Sequence, residues 1–498
     1  MINKQGPGAE RGKIGKMNEC VGEIDLAASA QHHRMVALRR MPRLGFGVVF
    51  VAALLAGCTT QQKDAAPGRL SSGKAPLASA ATKVPVQPTE PARRIAIDGM
   101  SLSDAVGVAI ARHPDVSRAD ALVTQSTSEV AVAKAAWYPT IEYGAKPGYG
   151  RGYANSGDNG AVRGSIGVNQ LLYDFGRTPG RISAADATLV KQKHLRADTM
   201  ETIAYDTAAI YLELADSQDM IAAAQRQLSA LRETRAKIVE RLQAGLSDAT
   251  DRNQADVAIQ RADAEVLKAK TRFSVAAGKL AELTGVRPQR VATLAGTGAF
   301  VSRLGTAVGD IDRTPSVLAA KAAVEAADAR IEVAKAERFP TIGLGVSRSM
   351  STGQRNDKDD TFVGVSISGS FSLGGLAGHR IEAAEAERKA TAKMLENQRL
   401  VTRTALGSAE LEASGAAARV VSYEKIIDLS RTSRDLYWQE YTLNKRPLTE
   451  VISAEREIYL SEVERISAFS DGILAKIKAH SAVGRLVALL KAQGEVRK

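Results

Sequence analysis

Two cysteines and six histidines are the residues of this chain best suited to metal binding or nucleophilic chemistry. The histidines are scattered, and none has metal-ligand spacing to a cysteine or a second histidine, apart from the adjacent pair His32-His33. The sequence contains no P-loop and no G-x-G-x-x-G segment that opens a helix. Acidic residues are abundant, but their spacing suits ion pairs on helix surfaces. We therefore expect a protein that is not an enzyme and that needs no metal or cofactor.

Cys58 has a context that suits covalent lipid attachment. Arginines between positions 39 and 43 precede an apolar run that ends at Leu55, and small residues follow. This pattern describes a secretory signal, because the run is too short to span a bilayer as a helix. Residues 55–58 resemble a bacterial lipobox, which predicts acylation of Cys58; an ordinary signal peptide with a chance cysteine remains the alternative. Thr59 stands where an aspartate would favour inner-membrane retention, so we expect outer-membrane sorting.

The composition of the 498-residue chain favours long helices packed through small side chains. Charged residues make up 24% of the chain and aromatic residues only 4%. The formal charge of +12 is spread along predicted helix faces and does not form a block. We interpret it as solvated helix surface and expect no nucleic-acid binding.

A tandem repeat organises most of the chain. The stretch "VAKAAWYPTIEYG" at residues 132–144 returns as "VAKAERFPTIGLG" at residues 333–345, 201 positions later. Gly285 and Gly484 lie 199 positions apart. A nearly constant offset predicts two copies of one structural unit.

Each unit is predicted to place a β-hairpin between helices. Pro139 and Pro340 mark matching helix-to-strand junctions, because proline cannot continue a helix. After each junction apolar and polar residues alternate with period two, which is typical of strands with one apolar face. Strands of about ten residues have the length of tilted transmembrane strands, although a soluble hairpin would show the same alternation. Two units supply only four strands, so a closed barrel requires several copies of the chain.

The predicted organisation comprises six parts: an amino-terminal extension with signal peptide at 1–57, a Pro/Ala/Ser-rich linker at 59–98, a first repeat at 99–285, an equatorial linker at 286–313, a second repeat at 314–486 and a tail at 487–498. Within the repeats we expect first helices at 114–136 and 315–337, hairpins at about 139–172 and 340–373, long helices at about 179–244 and 376–443, and return helices at 248–284 and 447–484. A long helix of this length spans about 100 Å. The return helix and the first helix, laid end to end, match that length.

Between residues 99 and 486 these features together resemble the TolC-type outer-membrane efflux protein family. The resemblance is carried by "YPTIEYG" and "FPTIGLG", "NQLLYDFGR" (169–177), "RLQAGLSDATDRNQAD" (241–256) and "YTLNKRPLTEVISAEREIY" (441–459). It implies a mixed α and β membrane protein: a homotrimer with a 12-stranded transmembrane β-barrel continuous with a periplasmic 12-helix α-barrel. It also implies contact with outer-membrane lipid, a periplasmic adaptor (membrane fusion) protein and an inner-membrane pump of the ABC or RND type as partners.

The resemblance assigns adaptor contacts to the turns at the ends of the two helix pairs. The matching residues are Ala244, Gly245, Leu246 and Ser247 in the first unit and Leu443, Asn444 and Lys445 in the second. Asn444 stands where the family usually has glycine. Asparagine still tolerates the left-handed conformation that such a turn requires.

The resemblance further implies a gate at these turns. Thr250 and Asp251 match one side of the closed-state contacts of the family, and Tyr441 and Arg446 match the other, which predicts an Asp251–Arg446 latch. The alternative is that the acidic residues favour a helix amino end and that Arg446 is solvated.

An entrance ring of acidic residues is the last element that the resemblance implies. Glu450 fits the first acidic position of this ring, but Ser453 occupies the second. A ring with one carboxylate per chain would attract cations more weakly than a ring with two.

The resemblance implies a channel-tunnel that exports substrates across the outer membrane of a Gram-negative cell. The segments "LLYDFGR" and "YTLNKRPLTEVISAERE" are more similar to channels of type I protein secretion, whereas the lipobox favours a multidrug or metal efflux pump. A periplasmic coiled-coil scaffold is a third alternative, but it would explain only the long helices.

Overall fold

The computed structural model describes residues 98–148, 161–307, 309–352 and 358–495. The predicted signal peptide, the lipobox with Cys58 and the linker up to residue 97 lie outside the described residues. Among the described helices, none is both long enough and apolar enough to cross a membrane.

The two repeats share a first helix, a β-hairpin, a long helix and a return helix in the same order. The first comprises strand β1 (Asp98–Met100), helices α1 (Leu102–Arg112) and α2 (Pro114–Ala135), strands β2 (Thr140–Gly148) and β3 (Ala161–Tyr173), and helices α3 (Arg177–Gln243) and α4 (Ala249–Thr284). Strand β4 (Arg290–Val291), helix α5 (Leu294–Ser302) and a 3-10 turn (Ile311–Arg313) lead to the second repeat. It comprises helix α6 (Pro315–Ala336), strands β5 (Thr341–Thr352) and β6 (Lys358–Ser368), and helices α7 (Leu376–Thr442), α8 (Leu448–Ala482) and α9 (Leu486–Glu495).

Four antiparallel strands form one sheet in the order β2-β3-β5-β6. The register places Ile141, Val168, Val346 and Val363 side by side across all four strands, so that one face is apolar. The opposite face carries polar and small residues such as Asn169. Strands β2 and β6 are the two edges of the sheet, and among the described strands each of them pairs on one side only.

The junction between helix and strand is built in the same way in both repeats. Helix α2 ends at Ala135, the N–H of Tyr138 closes a last turn on its carbonyl at 3.0 Å, and Thr140 begins β2. Pro139 and Pro340 lie between the last turn and the strand, where the missing N–H costs no helical hydrogen bond.

The helix after the first hairpin begins at Arg177, two residues before the predicted start. The Asp174 carboxylate accepts hydrogen bonds from the N–H groups of Gly176 at 3.3 Å and Thr178 at 2.6 Å. These bonds satisfy the free N–H groups at a helix start, and Pro179 is tolerated because it lies in the first turn.

The segment between the repeats is structured rather than a plain linker. Strand β4 pairs in parallel with β1. The buried hydroxyl of Tyr211 donates to the carbonyl of Met100 at 2.9 Å and accepts from the N–H of Ala292 at 3.2 Å. One side chain of α3 therefore ties both strands to the helices.

Residues 486–495 form helix α9, although the sequence predicted a tail there. The N–H groups of Leu486 and Val487 donate to the Glu201 carboxylate at 3.1 and 3.2 Å, which caps the helix start. Burial raises the pKa of Glu201 to about 7. Leu486 and Leu490 are buried against the core, which explains why this segment is ordered.

The long helices α3 and α7 each pack along two shorter helices. Helix α3 contacts α2 and α4, and α7 contacts α6 and α8, while α3 also contacts α6 and α8 of the other repeat. Helix α8 meets α6 end to end: Gly484 follows α8 with φ +68° and lies against Pro315, the first residue of α6.

The joint between α8 and α6 generates a stability prediction. In Gly484→Ala the new Cβ would lie 2.1 Å from Pro315 Cδ, and φ +68° disfavours any side chain. We expect the free energy of unfolding to fall by about 3 kcal/mol, measured by denaturation followed by circular dichroism. Gly407→Ala is the matched control, since the space around this α7 glycine is open and alanine should stabilise the helix by roughly 0.5–1 kcal/mol. If the two variants changed the free energy of unfolding by similar amounts, the close contact between Gly484 and Pro315 would be contradicted.

Candidate functional site

The turns that connect the long helices to the return helices have the same backbone geometry. Gly245 has φ +72° and Asn444 has φ +56°, the left-handed conformation that the sequence predicts for both. The next N–H group, from Leu246 or Lys445, donates back to the last turn of the helix at 2.8 or 2.9 Å. This closure satisfies helix carbonyls that would otherwise lack partners.

The two turns differ in how the return helix begins. In the first turn the Asp248 carboxylate caps α4 by accepting from the N–H groups of Thr250 at 2.8 Å and Asp251 at 3.0 Å. In the second, Pro447 precedes α8 and supplies no side-chain cap. The first return helix therefore has the better-defined start.

Most residues of the two predicted adaptor turns are accessible. The exposed ones are Ala244, Gly245, Leu246, Leu443, Asn444 and Lys445, and Ser247 is half-buried. Leu246 and Leu443 stand out because they are large apolar side chains, 56% and 65% exposed.

Tyr441 joins the two turns. Its hydroxyl donates to the Asp251 carboxylate at 2.8 Å and lies 2.9 Å from the Ser247 hydroxyl. The side chain is buried, and burial together with the Asp251 charge raises the pKa of Tyr441 above its usual value. The phenol is therefore a neutral donor, and Asp251 is held by a hydrogen bond from the other repeat.

Arg241 is a second bridge, and sequence reasoning missed it. Its guanidinium donates to the carbonyls of Leu246 at 3.2 Å and Thr442 at 3.4 Å, one in each turn. The same group lies 5.3 Å from the ring centre of Tyr441. The sequence feature that could have predicted it is a basic residue in the last turn of a helix, where its side chain can bind free backbone carbonyls.

The predicted contact between Asp251 and Arg446 does not form within the chain. Arg446 instead donates to Glu440 at 2.5 Å and forms an ion pair with Glu450. Its guanidinium also lies 4.2 Å from the ring centre of Tyr437. The reason is local, because Glu440 and Glu450 flank Arg446 on the two helices of its own turn.

The residues of the predicted entrance ring are engaged in their own helix pair. The charge of Glu450 is partly neutralised by Arg446. Ser453 donates its hydroxyl to the carbonyl of Thr449 at 2.7 Å. Among the described residues no group of three or more His, Cys, Asp or Glu could hold a metal ion.

A small apolar cluster lies directly beneath the turns. Its buried members come from all four helices of the two pairs: Ile238, Ala255, Tyr441, Leu448 and Val451. The Tyr441 ring therefore belongs to this cluster while its hydroxyl reaches the polar contacts above. Apolar packing and hydrogen bonding meet at one residue.

Further from the turns, a buried carboxylate links three helices. Glu462 of α8 accepts from Arg226 of α3 at 2.9 Å and from Arg431 of α7 at 2.8 Å. We call this arrangement the three-helix node. The two repeats are thus connected at the turns and again at this node.

Comparisons with known proteins find similar proteins over most of the length of the chain. A family model described as outer membrane efflux protein matches residues 105–286 and 311–471. The outer membrane efflux protein BepC of Brucella suis is 24% identical over 403 residues, which cover 78% of this chain and 86% of BepC. The protein CyaE of Bordetella pertussis is 25% identical over 338 residues, which cover 65% of this chain and 71% of CyaE.

The fold is also found among solved structures. A crystal structure of CusC, described in connection with folding and transmembrane channel formation, matches with a TM-score of 0.67 at 14% identity. The match covers 80% of this chain and 95% of that chain. It shows that the arrangement of helices and strands is similar to that of CusC.

Tyr441→Phe tests the contact between the two turns. Loss of the hydroxyl leaves Asp251 and Ser247 without this partner, at a local cost of about 1–3 kcal/mol. We expect faster amide hydrogen exchange at residues 244–248 and 441–446. Tyr423→Phe in α7 is the matched control, because no hydrogen bond from its hydroxyl is formed within the described residues. Equal exchange in wild type and Tyr441→Phe would show that the hydroxyl does not hold the turns.

Proposed function

Because the chain belongs to the outer membrane efflux protein family, we propose that it forms a homotrimeric channel-tunnel that exports substrates across the outer membrane. The family and the fold are those of outer-membrane channels and not of enzymes. The observation that carries the proposal is the four-stranded sheet with one apolar face, attached to two helices of 67 residues each. Each of these helices is about 100 Å long, enough to cross a periplasmic distance.

The edges of the sheet support assembly with further copies of the chain. Strands β2 and β6 each have one unpaired side, and a sheet in lipid cannot keep open edges. Two copies would supply eight strands and three copies twelve. The twelve-stranded arrangement is the one that the family resemblance implies.

The exposed turns are the part of the chain best placed to bind a periplasmic adaptor protein. Leu246 and Leu443 offer apolar anchors, and Lys445 adds a charge beside the second one. An inner-membrane pump of the ABC or RND type, which the family resemblance implies, would supply the energy. Acylated Cys58 would anchor the amino end in the outer membrane.

The gate is assigned to the contacts between the two turns. Tyr441 and Arg241 hold the second turn against the first, while Arg446 braces its own turn through Glu440 and Glu450. Opening requires the Tyr441–Asp251 hydrogen bond to break. With its charge paired, Glu450 would give the entrance only a weak preference for cations.

Type I protein secretion is the transport process that we favour. It is supported by two segments that are more similar to type I secretion channels, "LLYDFGR" and the second turn, "YTLNKRPLTEVISAERE". A multidrug or metal efflux pump is the second candidate, supported by the similarity to BepC, which is named as an efflux protein. A periplasmic scaffold would have no use for the apolar face of the sheet.

Conductance of the purified channel in a planar bilayer tests both the channel and its gate. We expect Asp251→Asn to raise the conductance, because the amide is a weaker acceptor for the Tyr441 hydroxyl. Asp256→Asn is the matched control, since Asp256 pairs with Arg235 inside the first repeat and should leave conductance unchanged. If Asp251→Asn and the wild type have equal conductance, the proposed gate is wrong. If neither protein conducts, the proposed channel is wrong.

Deletion of the gene separates the two transport processes. We expect the deletion strain to lose a large exported protein from the medium while its susceptibility to drugs and metal ions stays unchanged. Complementation with the wild-type chain controls for effects on neighbouring genes. Raised susceptibility with an unchanged set of exported proteins would establish the efflux alternative instead.

A further inference from the structure

The polar face of the sheet carries basic residues side by side across the strands. Lys146 of β2 pairs with Arg163 of β3, and Arg163 in turn lies opposite Ser351 of β5. Lys358 of β6 holds the fourth register position, on the other side of Ser351. Three of these four residues are basic and none is acidic. We call the four positions the basic row.

The backbone places the basic row on the face opposite the apolar one. Lys146 follows Ile141 by five positions and Arg163 precedes Val168 by five, and an odd spacing in a strand puts two side chains on opposite faces. The side chains of Lys146 and Arg163 are both exposed. The row lies six residues beyond Thr140, where β2 begins, which is about 20 Å from the helical end of the sheet.

Small residues surround the basic row on the same face. The next row towards the helices consists of Gly144, Ser165, Ser349 and Asp360. Three of its four residues have a short side chain or none. The long side chains of Lys146 and its neighbour in the basic row therefore project beyond this part of the polar face.

The basic row also concentrates positive charge. In the described strands the acidic residues of the polar face are Glu142 and Asp360, and both lie in other rows. Lys146 and Arg163 stand directly opposite each other, and like charges in this position repel. An anion beside the two side chains would relieve the repulsion, so the arrangement suits anion binding better than it suits stability.

The apolar face treats a basic residue differently. Arg348 of β5 shares that face with Val346, and its guanidinium donates to the Asp359 carboxylate at 3.0 Å. Pairing with a carboxylate is what a charged residue requires on a face that we propose to lie in lipid. In the basic row the nearest residue across the strands is a second cation instead, which suits a surface in contact with water and passing ions.

We propose that the basic row forms an anion-selective ring in the outer part of the proposed channel, and that the cargo favoured by this ring is anionic. A barrel in lipid turns its apolar face outward, so the polar face lines the pore. Three copies would bring three basic residues each into one ring. Such a ring attracts carboxylates and phosphates and repels cations. The inference rests on the proposed channel, so its test must separate a wrong ring from a missing channel.

The reversal potential of the purified channel in a planar bilayer, under a gradient of potassium chloride, tests the ring. We expect the wild type to prefer chloride, because the single Glu450 of each chain at the other end is paired with Arg446. In Lys146→Gln/Arg163→Gln the reversal potential should move towards the value for potassium. The charge-conserving variant Lys146→Arg/Arg163→Lys should keep the wild-type value, because selectivity depends on charge and not on side-chain shape.

Two further variants are matched controls. Glu142→Gln removes an acidic residue from the same face and should move the reversal potential further towards the value for chloride. Arg348→Gln/Asp359→Asn removes both members of the ion pair on the apolar face and should leave the reversal potential unchanged. If Lys146→Gln/Arg163→Gln conducts with the wild-type reversal potential, the ring is wrong and the channel stands. If the wild type does not conduct, both are wrong.

Block by polyvalent anions supplies a second measurement. Inorganic tripolyphosphate and a hexaglutamate peptide should each reduce the wild-type current at a lower concentration than they reduce the current of Lys146→Gln/Arg163→Gln. Added salt should weaken the block, because it screens charges in water. A stronger effect of hexaglutamate would assign the ring to carboxylate-rich cargo, and a stronger effect of tripolyphosphate to phosphorylated cargo. Equal block of the wild type and the variant by both anions would contradict the ring.

Discussion

Open edges of a sheet are the constraint on which the rest of the structure depends. On their outer sides, strands β2 and β6 each present backbone N–H and C=O groups that no other described strand of the chain pairs. Water can satisfy such groups, but the apolar row formed by Ile141, Val168, Val346 and Val363 is the basis of our proposal that this sheet faces lipid. In lipid the only solution is closure with further copies. The helices must then surround a common axis as well, because each strand continues into one of them.

The duplicated unit explains how one type of strand contact can be used more than once to remove open edges. The contact between β3 and β5 shows how a second strand of one unit meets a first strand of the next. In the proposed channel, the same kind of contact between copies would close the ring. The units differ, for example, at the start of the return helix, where Asp248 caps one helix and Pro447 gives the other no side-chain cap.

Much of this architecture could be predicted from residues with strong local preferences. Pro139 and Pro340 break helices, Gly245 and Asn444 accept left-handed turns, and alternation along residues 363–367 marks a strand. Contacts between residues that are distant in the sequence were harder to predict. The Glu201 carboxylate caps α9 from a helix far away in the sequence. Arg446 pairs with Glu440 and Glu450 and not with Asp251. Both contacts depend on distances in space that the order of residues does not contain. Arg241 was missed for the same reason, because its carbonyl partners lie in two different turns.

Cryo-electron microscopy of the detergent-extracted protein tests the central claim most directly, because it counts both copies and strands. The account predicts three copies around one axis, with twelve strands in a closed barrel that continues into a tunnel of helices. A particle with a single copy, or with a sheet whose β2 and β6 edges remain unpaired, would contradict it.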